Sequence, residues 1–83
     1  MKIYDYRGRK NICGNRIREA RTRKRMSQSD LAARLQVQGV IIERDCISKA
    51  ENGLRLIADY EARAFARALG VPLDWLMEQE KQE

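Results

Sequence analysis

The chain has 83 residues, which is enough for one small domain with an adequate hydrophobic core. Its 17 Lys and Arg exceed its 12 Asp and Glu, and the net charge of +5 favours a polyanionic partner such as nucleic acid, acidic protein or anionic lipid. The chain lacks histidine, and its two cysteines lie far apart. These facts exclude the usual metal clusters and any Ser-His or Cys-His nucleophile, so we expect no enzyme, no cofactor and no metal.

The positive charge is concentrated at the front of the chain. Residues 1–25 contain ten basic and two acidic side chains, and the remaining residues contain seven and ten. The front is therefore the surface expected to contact a polyanion. We find neither an apolar run that could span a bilayer nor a secretion leader, so we predict a cytoplasmic protein without a membrane partner. A disulfide between Cys13 and Cys46 is allowed by number, but both positions look apolar and helical, and reduced core thiols are favoured.

A basic N-terminal arm is predicted over residues 1–11, because aromatic, glycine and basic residues alternate there without helical periodicity. It is either a strand that lies on DNA phosphates or in a minor groove, or a frayed terminus. A first helix follows over residues 12–25. Cys13, Ile17 and Ala20 form one narrow apolar stripe on this otherwise basic helix, which is too thin for stable insertion into a membrane surface.

The second helix has a clear start. Ser27 suits the N-cap position, and Asp30 three residues later makes an acidic variant of the capping box. Leu31, Ala32 and Leu35 supply its inward face. Small Ala32 allows a crossing helix to approach closely, as a tight turn between two helices requires. A generic amphipathic hairpin is the alternative.

The third helix is predicted over residues 44–52 and ends at Gly53, which suits the left-handed position after a helix. Its outer face is short and polar, with Arg44, Asp45, Ser48, Lys49 and Asn52. In a major groove, arginine and lysine can donate to guanine, aspartate can accept from cytosine, and serine can do either. A solvated charged face is the alternative.

One carboxylate of the third helix is predicted to face the core rather than solvent. Glu51 follows Ile47 by four residues, which turns it toward the core. Arg21 follows Ile17 by the same spacing and lies at the edge of the first helix's apolar stripe. We predict a partly buried ion pair between Arg21 and Glu51 that joins the first and third helices.

Residues 36–42, between the second and third helices, are too apolar for an idle loop. Val40, Ile41 and Ile42 need cover in the core, at a dimer contact or in a partner, and packing against the chain's own domain is favoured. A fourth helix is predicted over Asp59–Leu69, closed by Gly70, and a short fifth helix follows Pro72. Trp75 is expected at the core edge, with a dimer contact as the alternative, and residues 78–83 form a polar tail.

Taken in order, four segments resemble the Xre or Cro-like helix-turn-helix family, which includes the lambda and 434 phage repressors. They are residues 14–21, 27–32, 47–53 and 66–76, and the resemblance covers about residues 12–77. It implies an all-α, five-helix, lambda-repressor-like domain. This chain departs from the family between the two central helices, where residues 35–47 contain about five more residues than the usual turn.

The resemblance also implies roles for individual residues. Gln28 would hold a phosphate at the start of the second helix, Arg21 and Glu51 would be the family's buried pair, and Asn52 and Arg55 would contact the DNA backbone. The base-facing residues would be Arg44, Asp45, Ser48 and Lys49. We therefore expect a small sequence-specific transcriptional regulator, a repressor that binds a roughly palindromic operator as a homodimer. The alternative is a protein-interaction module, an antitoxin or anti-repressor, that uses Val40, Ile41, Ile42 and the C-terminal helix.

Overall fold

The computed structural model describes residues 5–78. Five helices follow one another along this part of the chain: α1 (Gly14–Arg23), α2 (Gln28–Val37), α3 (Arg44–Glu51), α4 (Asp59–Leu69) and α5 (Leu73–Met77). The predicted all-α, five-helix architecture is confirmed. Over the same residues, no helix has the length and apolar character needed to cross a bilayer. The first four residues of the expected arm and residues 79–83 of the expected tail lie outside the described residues.

Helix α1 is shorter than predicted at both ends. It begins at Gly14, and it stops at Arg23 because Arg25 adopts a left-handed φ of 54° that turns the chain toward α2. The predicted apolar stripe is buried: Cys13, Ile17 and Ala20 are exposed by 2%, 0% and 3%. Burial raises the pKa of the Cys13 thiol to about 11, and both cysteines of the chain are free.

Helix α2 begins with the reciprocal cap that its sequence predicts. The Asp30 amide donates to the Ser27 hydroxyl at 2.9 Å, and the Ser27 amide donates to the Asp30 carboxylate at 3.0 Å. These bonds hold the pKa of Asp30 below its usual value. Leu31 and Leu35 are fully buried, and the helix extends to Val37 before it ends.

The segment predicted to separate the second and third helices is partly helical. Residues 36 and 37 belong to α2, and the chain then reverses at Gly39, whose φ of 80° favours glycine. Ile42 is buried and Val40 packs partly against the core, whereas Ile41 is 69% exposed. The predicted packing against the chain's own domain is therefore found for Val40 and Ile42 but not for Ile41.

The core lies between α4 and the other helices. Helix α4 packs against α1, α2 and α5, and Phe65 at its centre is fully buried. Four buried alanines on α4 (Ala62, Ala64, Ala66 and Ala68) let neighbouring helices approach closely. Trp75 lies at the core edge, where the Arg16 guanidinium stands over its ring at 4.5 Å.

Candidate nucleic-acid interface

Helix α3 presents one polar side to solvent and one side to the protein. Ile47, Ala50 and Glu51 are buried. The helix ends where Gly53 takes a φ of 75°, and the Leu54 amide donates back to the Lys49 carbonyl at 2.8 Å. This left-handed end is the one that the sequence predicts at Gly53.

The four residues expected to face bases lie on the solvent side of α3 or at its edge. Arg44, Asp45 and Lys49 are exposed, and Ser48 is half-buried. Arg44 Nη2 lies 3.5 Å from Asp45 Oδ1, with side chains 65% and 84% exposed. An ion pair this long and this exposed contributes little and breaks easily. Both side chains are therefore available to a partner.

The Glu51 carboxylate, at the end of α3, is fully buried and bound by Arg21 of α1. Arg21 Nε lies 2.6 Å from Glu51 Oε2, and Arg21 Nη2 lies 3.0 Å from Glu51 Oε1. The remaining guanidinium nitrogen donates to the Met26 carbonyl at 2.9 Å. The hydrogen bonds that Arg21 donates to Glu51 raise the pKa of the Arg21 guanidinium above its usual value, so this group remains charged.

Two further donors reach the same carboxylate, and sequence reasoning missed both of them. Gln28 Nε2 of α2 donates to Glu51 Oε1 at 3.1 Å, and Arg18 Nε of α1 lies 3.4 Å from that oxygen. Three helices therefore meet at one buried charge. Gln28 holds α2 against α3 in this structure, and its phosphate contact stays a prediction.

Asn52 follows directly after α3 and is exposed. Its side-chain oxygen accepts a hydrogen bond from Arg18 Nη2 at 2.5 Å. Because this bond uses the side-chain oxygen, the Asn52 amide nitrogen is the group that remains as a hydrogen-bond donor. Arg18 is itself exposed beside Asn52 and adds a cation that the sequence analysis did not assign to this surface.

Arg55 is engaged at the start of α4. Its guanidinium forms two parallel 3.0 Å bonds to the Glu61 carboxylate and donates to the Leu56 carbonyl at 2.9 Å. Glu61 also accepts from the Ala58 amide at 2.9 Å, which caps α4. The pair raises the pKa of Arg55 and lowers that of Glu61. Only the Glu61 half of a capping box is present, because Ala58 has no side-chain acceptor.

The end of the expected arm is part of the domain. Asn11 is 8% exposed and bonds to backbone on both sides of α3's end, and Arg9 donates to the Glu51 carbonyl at 3.0 Å. Residues 9–11 therefore do not form a loose arm. The Arg9 and Asn11 side chains donate to carbonyls of the last turn of α3, which have no partner within the helix. No sequence signal in the first eleven residues points to this contact.

The exposed groups of this surface suit hydrogen bonding and charge neutralisation. Within residues 5–78, no three His, Cys, Asp or Glu residues are grouped so that they could hold a metal ion. The exposed α3 face contains arginine, lysine and aspartate, the groups that match base edges. The surface at the end of α3 contains Asn52 and Arg18, groups that match phosphate oxygens.

A family model described as helix-turn-helix matches residues 17–76, more than half of the chain. The matched span contains the whole of α2, α3 and α4, together with most of α1 and α5. Residues 9, 10, 11 and 14, which contact the end of α3, precede it. The comparison with curated proteins gives no match.

Proposed function

The chain belongs to the Xre and lambda-repressor-like helix-turn-helix family of DNA-binding transcription regulators, and on this premise we propose that it is a sequence-specific repressor that binds double-stranded DNA as a homodimer. One observation carries the proposal. The polar face of α3 is exposed, while its opposite face is fixed to α1 and α2 through the buried Glu51 carboxylate.

Base recognition is assigned to the exposed α3 face. Arg44 and Lys49 supply donors for guanine, Asp45 supplies an acceptor for cytosine, and Ser48 at the edge can do either. Helix α3 is only 8 residues long, so it spans few base pairs. Each good bidentate contact contributes about 1–3 kcal/mol of discrimination against the wrong base.

Phosphate contacts are assigned to residues around this face. Asn52 and Gln28 lie at the end of α3 and the start of α2, and Arg18 adds a positive charge beside Asn52. Arg55 remains assigned to the backbone, although Glu61 holds its guanidinium in the free protein. Phosphate contacts fix the register of the protein on DNA without reading sequence.

The homodimer is supported by the small size of one reading helix. Two copies related by a two-fold axis would read half-sites about 34 Å apart, one turn of duplex. We propose that the dimer represses by occupancy: when it is bound to the operator, other proteins cannot bind there. Exposed apolar side chains after α3, including Leu54, Leu56 and Tyr60, are available to a second copy.

Selection of bound sequences from a random duplex pool tests the proposal. We expect an enriched site with two symmetric halves whose centres lie about one helical turn apart. In Lys49→Ala, we expect the base preference to weaken at one position of each half-site. Arg67→Ala removes the same charge from the exposed α4 surface and should leave the selected site unchanged. A pool that enriches no sequence overturns sequence-specific binding, and a single unpaired half-site overturns the dimer.

Binding of a protein partner is the second candidate function. Val37 and Ile41 flank the turn between α2 and α3 and are 89% and 69% exposed, and α5 adds exposed Leu73 and Met77. Apolar groups of this size favour a protein contact over water. Binding to random duplex that vanishes as salt rises, with no preferred site, would favour this function over the first.

A further inference from the structure

The segment that precedes α1 lies against the end of α3. The Lys10 amide donates to the Gly53 carbonyl at 2.8 Å. Before it, the chain makes a tight turn in which Tyr6 and Arg9 exchange backbone hydrogen bonds of 2.7 and 3.0 Å. Arg7 and Gly8 at this turn have positive φ angles of 54° and 81°, as the commonest two-residue hairpin turn requires. The turn places residues 9–11 against the end of α3.

Asn11 connects two helix ends through one side-chain amide. Its oxygen accepts from the Gly14 amide at 2.8 Å and so satisfies the first amide of α1. Its nitrogen donates to the Ala50 carbonyl at 2.9 Å and to the Arg55 carbonyl at 2.8 Å. The side chain thus uses both hydrogens and its oxygen, and it holds carbonyls in and just after the last turn of α3.

Arg9 reinforces the same position. Its guanidinium donates to the Glu51 carbonyl at 3.0 Å, and a positive charge at the C-terminal end of α3 is favourable for the helix dipole. Its side chain covers Gly53 so closely that a Cβ there would lie 2.6 Å from Arg9 Cζ. The last turn of α3 is therefore bound by side chains from outside the helix-turn-helix segment.

Gly14 brings α1 and α3 into direct backbone contact. A Cβ at this position would overlap the Ala50 carbonyl oxygen and would lie 2.9 Å from Arg9 Nη2. The approach leaves no room for α3 to tilt toward α1, and the Asn11 bonds oppose movement in the other direction. The angle of α3 relative to α1 is thus fixed from both sides.

We propose that Asn11, assisted by Arg9, is a positioning residue for DNA recognition: it sets the orientation of α3 without contacting bases. The inference rests on the proposed sequence-specific binding and extends it to residues outside the matched family segment. Hydrogen bonds to base edges require their donors within about 0.5 Å and 10–20° of the productive geometry. A small tilt of α3 therefore weakens base contacts while phosphate attraction, which depends weakly on geometry, persists.

The Asn11→Asp variant separates the acceptor role of the side-chain oxygen from the donor role of the side-chain nitrogen. Aspartate still accepts from the Gly14 amide through a carboxylate oxygen, but it cannot donate to the Ala50 and Arg55 carbonyls. Asn11→Ala removes all three bonds without adding charge. Gln38→Ala is the matched control, because Gln38 also donates a side-chain amide to a helix carbonyl, that of Ala64 at 2.9 Å on α4.

Affinity is measured for the selected site and for random duplex at one salt concentration. For both Asn11 variants we expect the ratio of specific to random affinity to fall about tenfold, the equivalent of about one lost base contact. Gln38→Ala should leave the ratio unchanged. A purely structural role for Asn11 predicts equal losses on both duplexes, because unfolded protein is lost to both, and that result overturns the proposal.

Hydrogen exchange of the free protein supplies a readout without DNA. The Gly53 and Leu54 amides, which bond to the Ala50 and Lys49 carbonyls, should exchange faster in both Asn11 variants, whereas α2 amides should not. Unchanged exchange at the end of α3 overturns the positioning role. If the unmodified chain enriches no site, the proposed function fails, and amide exchange still decides whether Asn11 holds α3.

Discussion

Arg21 and Glu51 are joined by two hydrogen bonds across α1 and α3, with Nε 2.6 Å from Oε2 and Nη2 3.0 Å from Oε1. The carboxylate has no exposure to water, so its charge depends on protein donors. Gln28 and Arg18 supply the others. The exposed face of α3 is thus held in place by a buried charge on its opposite face.

Arg21→Met is expected to lower the free energy of unfolding by about 3–5 kcal/mol, because it leaves a buried carboxylate without its main partner. Urea denaturation at neutral pH measures the loss. The control is Arg23→Ala, which breaks the exposed pair with Glu19 on the same helix and should cost about 0.5 kcal/mol or less. Equal losses in the two variants would contradict a special role for the buried pair.

Lys49→Ala is expected to relax base preference, with about 1–3 kcal/mol less discrimination at the base that it contacts. Gln28→Ala should instead weaken binding to all sequences alike, since its proposed contact is a phosphate. It should also lower stability by about 1–3 kcal/mol because the buried carboxylate loses a donor. Competition binding with specific and random duplexes checks both variants. The assignment fails if the two variants change both affinities by the same factors.

Local signals in the sequence predict much of this fold. The Ser27 and Asp30 spacing marks the start of α2, and Gly53 and Gly70 mark the ends of α3 and α4, because caps depend on a few neighbouring residues. The periodic apolar positions likewise identify the buried face of α1. In these elements, local preference and tertiary packing agree.

The residues that complete the site depend on contacts between distant parts of the chain. Gln28 reaches Glu51 and Asn11 reaches Ala50 only after the helices are packed, and no periodicity encodes such meetings. The apolar run before α3 shows the same limit. Val40 and Ile42 are covered while Ile41 between them is exposed, which follows from the path of the turn rather than from composition.

Stability should fall in acid because Arg55 and the Ala58 amide hold the pKa of Glu61 below its ordinary value of 4.5. The folded state therefore binds this proton less readily than the unfolded chain does. The contribution is complete above about pH 4.5 and is lost as the pH falls through the lower folded pKa. Urea midpoints from pH 6 downward should show a shallower acid decline in Glu61→Gln, and identical declines would contradict the assignment.

Gly14→Ala tests the close approach of α1 to α3. The added methyl group overlaps the Ala50 backbone oxygen, which cannot rotate away as a side chain can, so α3 must shift. We expect a loss of about 1–3 kcal/mol in stability, as for other overpacked sites, and a lower ratio of specific to random DNA affinity. Gly39→Ala is the control, because its Cβ would meet nothing within 4 Å and its cost comes from positive φ alone. It should destabilise the protein while the affinity ratio stays intact. A preserved ratio in Gly14→Ala would mean that α3 tolerates the shift, and that DNA recognition does not depend on its fixed angle to α1.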